Sequence, residues 1–261
     1  MGSETLKTLV TIGRGGTGKT SFVALMTKYF IGQGNAPVLL VDVDPDQNLA
    51  EMVGVDLERE GIRTIAELVT ETFIQKGGTT IGISPAERIE TTVLERGLYE
   101  GDNFDLIAVG TKWVEGCYCL PDAALKGALG ALTKNYRYVL IDSPAGLEHL
   151  NRKITARVDD IFDVMGPSHK SFEHVKRAYR VAREVGIAFE NFYIIGGCQF
   201  PENLECMVQE ETCRHYLGKI AFDEWVQASV IAGRSLLDIP TGSPAYRAVQ
   251  RIMENAGYRK N

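Results

Sequence analysis

The sequence predicts an α/β protein built on one doubly wound, mostly parallel sheet, with residues 1–261 forming a single domain. Three observations predict it. Short, continuously apolar runs recur along the chain: Leu9–Ile12, Pro37–Val43, Phe104–Val109, Tyr138–Ile141, Ile161–Met165 and Phe192–Ile195. Strands buried on both faces read this way, without alternation. Stretches of helical periodicity separate many of them, as crossover connections of parallel strands require. The first run feeds a glycine-rich turn that opens a helix, the arrangement that turns a strand end into an anion site.

That turn is Gly13-Arg14-Gly15-Gly16-Thr17-Gly18-Lys19-Thr20, which fits G-x-x-x-x-G-K-[ST] at every position. Ser21 to Met26 continue it as the start of a helix. Backbone N–H groups converge there, and the helix dipole adds positive potential. Lys19 can reach terminal phosphates, and Thr20 can ligate Mg²⁺.

The run Pro37–Val43 ends in Asp44-Pro45-Asp46-Gln47-Asn48-Leu49. A strand ending in carboxylates near a phosphate loop suggests strand ends sharing one crevice. Pro45 disfavours helix at Asp44, leaving its carboxylate in a loop able to position water or Mg²⁺-bound water. Thr64–Gln75 reads as an amphipathic helix on Ile65, Leu68, Val69 and Phe73, and Glu87–Leu98 as another. Residues 76–85 read as a glycine-rich loop.

After the third run come Cys117-Tyr118-Cys119 and a helix over Asp122–Leu132. In extended chain, residues i and i+2 point the same way, so both thiolates can share a metal. Two are too few for a tetrahedral site, and a twofold dimer would supply Cys₄. The fourth run ends in Asp142-Ser143-Pro144-Ala145-Gly146, where Asp142 can hold Mg²⁺ and the Gly146 N–H can touch a γ-phosphate. His149 follows and reads as a surface histidine, the alternative being a relay of nucleotide state or a metal ligand. Ser171–Val185 reads as a helix whose basic residues form a solvated face. Cys198, Cys206 and Cys213 are expected to be buried structural thiols, the last two on one helix. Ile220–Val226 reads as a loop, and Ser243-Pro244 as the start of a final helix.

A net charge of −6 argues against general nucleic-acid or membrane-surface partners. The N-terminal residues lack a basic start and apolar run, and no apolar stretch nears the roughly 18 residues of a membrane span. Five cysteines with no secretory signature imply a reducing, cytoplasmic setting.

The motifs R-G-G-T-G-K-T, V-D-x-D-P-D-x-N-L and I-D-S-P-A-G-x-E-H-L resemble the deviant-Walker P-loop ATPases that include NifH, MinD and ParA. Within that group, E-G-C-Y-C together with A-G-L-E-H-L resembles the CooC family of nickel-insertion ATPases. The resemblance implies a homodimer sandwiching two ATP molecules, with Cys117 and Cys119 of both subunits holding one Ni²⁺ or Zn²⁺. It implies nucleotide contacts from Gly13 through Ser21, from Gln199 and from Asp223. It makes Lys19 the phosphate ligand, Asp44 the water-activating residue, and Thr20, Asp44 and Asp142 the Mg²⁺ side. The implied client is apo carbon monoxide dehydrogenase or acetyl-CoA synthase. Arg14 stands where the family has a lysine reaching across the dimer, and Gln199 near where it has a base-reading asparagine. The alternative is a MinD- or ParA-like positioning ATPase acting through membrane or DNA. A NifH-like cluster carrier would need a cysteine within 142–150, which has none.

Overall fold

The computed structural model describes residues 6–71, 85–111, 119–146 and 157–259. Among the described residues, eight strands form one sheet in the order β3-β4-β2-β5-β1-β6-β7-β8. They are β1 (Lys7–Gly13), β2 (Val38–Asp42), β3 (Leu98–Glu100), β4 (Phe104–Ala108), β5 (Tyr138–Asp142), β6 (Asp160–Met165), β7 (Asn191–Gly196) and β8 (His215–Lys219). Every pairing is parallel except the short β3–β4 pair. The doubly wound, mostly parallel sheet expected from the apolar runs is present.

The helices are α1 (Lys19–Gly32), α2 (Asn48–Met52), α3 (Ile65–Val69), α4 (Pro85–Arg96), α5 (Cys119–Leu132), α6 (Lys170–Glu184), α7 (Glu205–Thr212), α8 (Glu224–Ile231) and α9 (Pro244–Asn255). Strand alternation divides the core in two. Leu9, Leu40, Leu140 and Phe162 pack on the side of α1 and α9; Val10, Ile12, Leu39, Val139 and Ile161 pack on the side of α3 to α6. Both faces are covered, so the central strands are apolar at nearly every position.

Four expectations need adjustment. Leu98 leaves α4 to start β3, because its backbone pairs with Ile107. The stretch read as loop at Ile220–Val226 instead follows a strand, β8, and runs into α8, capped by Asp223. Cys198, Cys206 and Cys213 are exposed rather than buried. Of the helix expected over Thr64–Gln75, α3 is its first part; Phe73 and the glycine-rich loop lie outside the described residues.

Local chemistry explains how α3 starts and where β4 stops. Thr64 and Glu67 form a capping box at the α3 N-terminus. Gly110, just past β4, has φ +77° and lies against Thr64; a Cβ there would sit 2.4 Å from the Thr64 side chain. Gly110→Ala therefore meets both backbone strain and a clash. It is expected to lower unfolding stability by more than about 2 kcal/mol, read by denaturant titration.

Candidate functional site

The site lies at the carboxyl edge of the sheet, where strand order reverses around β1. In register there, Thr11 of β1 stands beside Asp142 of β5, which stands beside Asp42 of β2. All three are buried, on the α1 side by alternation with Leu9, Leu140 and Leu40.

Above them runs the glycine-rich turn. Gly18 adopts a left-handed conformation and caps α1. Lys19 is buried, and its Nζ donates to the Arg14 carbonyl at 3.3 Å, while Thr17 Oγ1 donates to the same oxygen at 2.9 Å. These two bonds fold the loop back on itself. Gly197 supports it from below: a Cβ there would stand 2.4 Å from the Thr17 carbonyl oxygen, so only glycine lets the β7 end come so close. Arg14, Gly15 and Gly16 are exposed at the loop tip. The Gly146 N–H, expected to face a γ-phosphate, donates here to the Gly13 carbonyl at 3.4 Å.

The two adjacent carboxylates differ. Asp42 accepts from the Asp44 amide (Oδ1, 3.0 Å) and the Leu49 amide (Oδ2, 3.0 Å), clamping both ends of the Asp44–Asn48 loop. Burial raises its pKa well above the ordinary carboxylate value, the neighbouring Asp142 adds to this, and the two amides oppose it. Asp142 has no hydrogen bond to either oxygen in ordinary geometry. Burial pushes it up to about 7, against the Thr20 hydroxyl and the Lys19 ammonium, which draw it down. A buried, unpartnered carboxylate beside Lys19 and Thr20 is a donor set suited to Mg²⁺ carried by a polyphosphate. Asp44 is half-buried, its Oδ1 accepting from the Asp46 amide at 3.1 Å.

Beside α1 a cavity of about 310 Å³ is lined by Gly18, Ser21, Gln199, Phe222, Asp223 and Val226, among others. Its apolar lining next to the phosphate loop suits a flat nucleobase. Gln199 and Asp223 thus stand at one cavity. The Asp223 carboxylate, however, is occupied. It caps α8 through the Trp225 amide (2.8 Å) and accepts from the Ala245 amide (2.9 Å) and the Ser243 hydroxyl. Burial raises its pKa, but these donors outweigh it and the net shift is downward.

Cys117 and His149 lie outside the described residues, and Cys119 is placed only as the first residue of α5. Among the described residues no cluster of three His, Cys, Asp or Glu side chains suits a metal, and no helix is long and apolar enough to cross a membrane. Asp42 carried no role in the sequence reading. Its signal was a carboxylate at the end of an apolar run, two residues before Asp44. The cavity-lining Phe222 and Val226 were also missed, for want of any local pattern.

A phosphate loop, a carboxylate at each flanking strand end and a base-sized cavity define a P-loop ATPase, working on ATP and ADP with Mg²⁺. Comparison places it further. A family model described as an AAA domain (AAA_31) matches residues 8–186, and the chain belongs to that family. It is 30% identical over 244 residues to the carbon monoxide dehydrogenase accessory protein CooC of Rhodospirillum rubrum, spanning 90% of each chain. It is 29% identical to an uncharacterized ATP-binding protein of Methanocaldococcus jannaschii, over 93% of this chain and 95% of that one. In fold it matches a ParA family ATPase from Chlorobium tepidum (TM-score 0.71, 16% identity, 94% and 98% covered). It also matches MinD from Pyrococcus horikoshii, solved with Mg-ADP (TM-score 0.67, 19% identity, 97% and 96% covered).

Asp163 of β6 offers a check on the electrostatics. It is fully buried with neither oxygen hydrogen-bonded, and burial pushes it up to about 7 although Lys19 draws it down. A raised folded-state value means its stabilising contribution is whole below pH of about 4 and is lost as pH climbs through about 7. Asp163→Asn is expected to be more stable than the parent at pH 8, by at most about 4 kcal/mol, with the gap closing toward pH 4. Unfolding curves across that pH range measure it.

Proposed function

We propose that this protein is an ATP-driven metallochaperone of the CooC type, holding nickel on paired cysteines and delivering it to an apo-enzyme. The observation that carries the reading is where the Cys117-Tyr118-Cys119 segment departs. It comes after β4, whose last residue Ala108 pairs with Asp42 at the carboxyl edge, and its last residue, Cys119, opens α5. Strand β4 thus ends at the same edge as the nucleotide loops, and residues 109–111 leave it there on the way to the cysteines. The full-length similarity to CooC supports the reading.

In this reading Lys19 neutralises charge on the terminal phosphates, and backbone N–H groups from Gly13 to Ser21 cradle them. Thr20 and Asp142 would hold Mg²⁺, with Asp44 able to reach it through water, and the ion would supply charge neutralisation at the phosphate oxygens. Asp44 orients the attacking water. Asp42 keeps Asp44 in place by gripping the backbone on both sides of it. The base occupies the cavity beside Gln199. Arg14, exposed at the loop tip, reaches the phosphates of a second subunit bidentately. The working unit is then a homodimer that brings two Cys117/Cys119 pairs together as a four-sulfur site for Ni²⁺ or Zn²⁺. Hydrolysis removes the contacts holding the Asp44 and Gly146 loops, the pairs change separation, and metal affinity changes with them. The client is carbon monoxide dehydrogenase or acetyl-CoA synthase, and neither DNA nor membrane takes part.

The double variant Cys117→Ala/Cys119→Ala is expected to lose tight Ni²⁺ and Zn²⁺ binding in chelator competition while keeping ATP affinity within about threefold. Unchanged metal affinity would remove the chaperone reading and leave an ATPase. Asp44→Asn is expected to bind ATP normally and to hydrolyse it at least about a hundredfold more slowly, measured as phosphate release. ATP-dependent co-sedimentation with lipid vesicles or DNA would favour a positioning ATPase instead.

A further inference from the structure

Among the described residues, the hydrogen bonds of Asp44, Pro45, Asp46 and Gln47 run to near neighbours in sequence, within residues 42–49 or into the first turn of α2, with a single exception. That exception comes from Thr111, whose Oγ1 donates to the Pro45 carbonyl at 2.6 Å across 66 residues of sequence. The acceptor belongs to the residue directly after Asp44. The other donor to it, Gln47 Nε2, is at 3.5 Å, too long to compete.

The chain just before Thr111 is fixed. The Val109 amide donates to the Asp42 carbonyl at 2.8 Å, and the Ala66 amide donates to the Val109 carbonyl at 2.9 Å. Gly110 is pressed against Thr64. Thr111 continues directly from these fixed residues and stands ahead of the two cysteines in sequence. Cys117 is six residues further on, within about 20 Å of extended chain.

We propose that Thr111 is a positioning residue: its hydroxyl straps the nucleotide-responsive Asp44 loop to the cysteine-bearing segment, and this bond carries nucleotide state to the metal site. The proposal rests on the reading of Asp44 given above, and its metal arm rests on the chaperone reading. The physical requirement is modest. A loop that shifts when the γ-phosphate leaves must take the Pro45 carbonyl with it. The Thr111 hydroxyl must then follow or let go, and either outcome gives the next residues two different starting positions. Removing the hydroxyl removes the link without removing either site.

The test compares the full-length parent, Thr111→Val and Thr111→Ser, each loaded with Mg-ADP or with a non-hydrolysable Mg-ATP analogue. Amide hydrogen exchange is followed in the peptide covering 112–118, and Ni²⁺ affinity by chelator competition. In the parent, exchange and Ni²⁺ affinity are each expected to differ about tenfold between nucleotide states, a usual size for coupled sites. In Thr111→Val both differences should fall below about twofold, with nucleotide affinity and nucleotide-free Ni²⁺ affinity unchanged within about twofold. Thr111→Ser, which keeps the donor, should restore them. The strap is overturned if Thr111→Val keeps the parent's exchange difference, if the parent has none, or if Thr111→Val loses nucleotide affinity outright. A parent that binds no Ni²⁺ through its cysteines would instead overturn the chaperone reading, and the exchange arm would still judge the strap.

Discussion

Two carboxylates on neighbouring rungs, Asp42 of β2 and Asp142 of β5, are buried side by side at the carboxyl edge of the sheet. Like charges in a low-dielectric interior cannot both be ionised cheaply. The fold answers with asymmetry. Asp42 receives two backbone amides, and Asp142 receives no hydrogen bond of ordinary geometry. One carboxylate is thereby committed to holding a loop. The other keeps its acceptor capacity facing Lys19 and Thr20, where a cation with its phosphates can meet it.

The rest of the edge hangs from those rungs. The Asp44 loop starts and ends on Asp42, and the Gly146 loop leaves from Asp142 and touches the Gly13 carbonyl. The strand that leads toward the cysteines is bonded to the Asp42 carbonyl through Val109. Three loops thus share one short stretch of sheet.

Much of this was legible from local pattern. Apolar runs bounded by turn residues marked six of the eight described strands, because burial on both faces leaves no room for alternation. The phosphate loop was legible because its chemistry needs particular residues at particular spacings. What escaped was at the margins. Strand β3 is three residues long and exists only because Leu98–Glu100 finds an edge to pair with. Strand β8, His-Tyr-Leu-Gly-Lys, is a half-exposed edge with neither alternation nor an apolar run. Helix α8 puts Val230 and Ile231 into solvent beside a cavity, so its apolar residues follow no core-facing stripe. Cys206 and Cys213 read as core thiols on one helix, yet α7 turns its other face inward, burying Val208 and Thr212, and Cys213 falls just past the helix end as its left-handed cap.

By itself the sequence determined the class of the sheet, the phosphate loop and the carboxylates that follow two strands, because each depends on contacts within a few residues. Tertiary structure decided which carboxylates became neighbours, since strand order and register put Asp42 beside Asp142 across a hundred residues of chain. It also decided that the Asp223 carboxylate is occupied by Ser243 and two amides, and that Thr111 meets Pro45. Those outcomes depend on where separate segments land once both faces of the sheet are covered, and no local spacing encodes that.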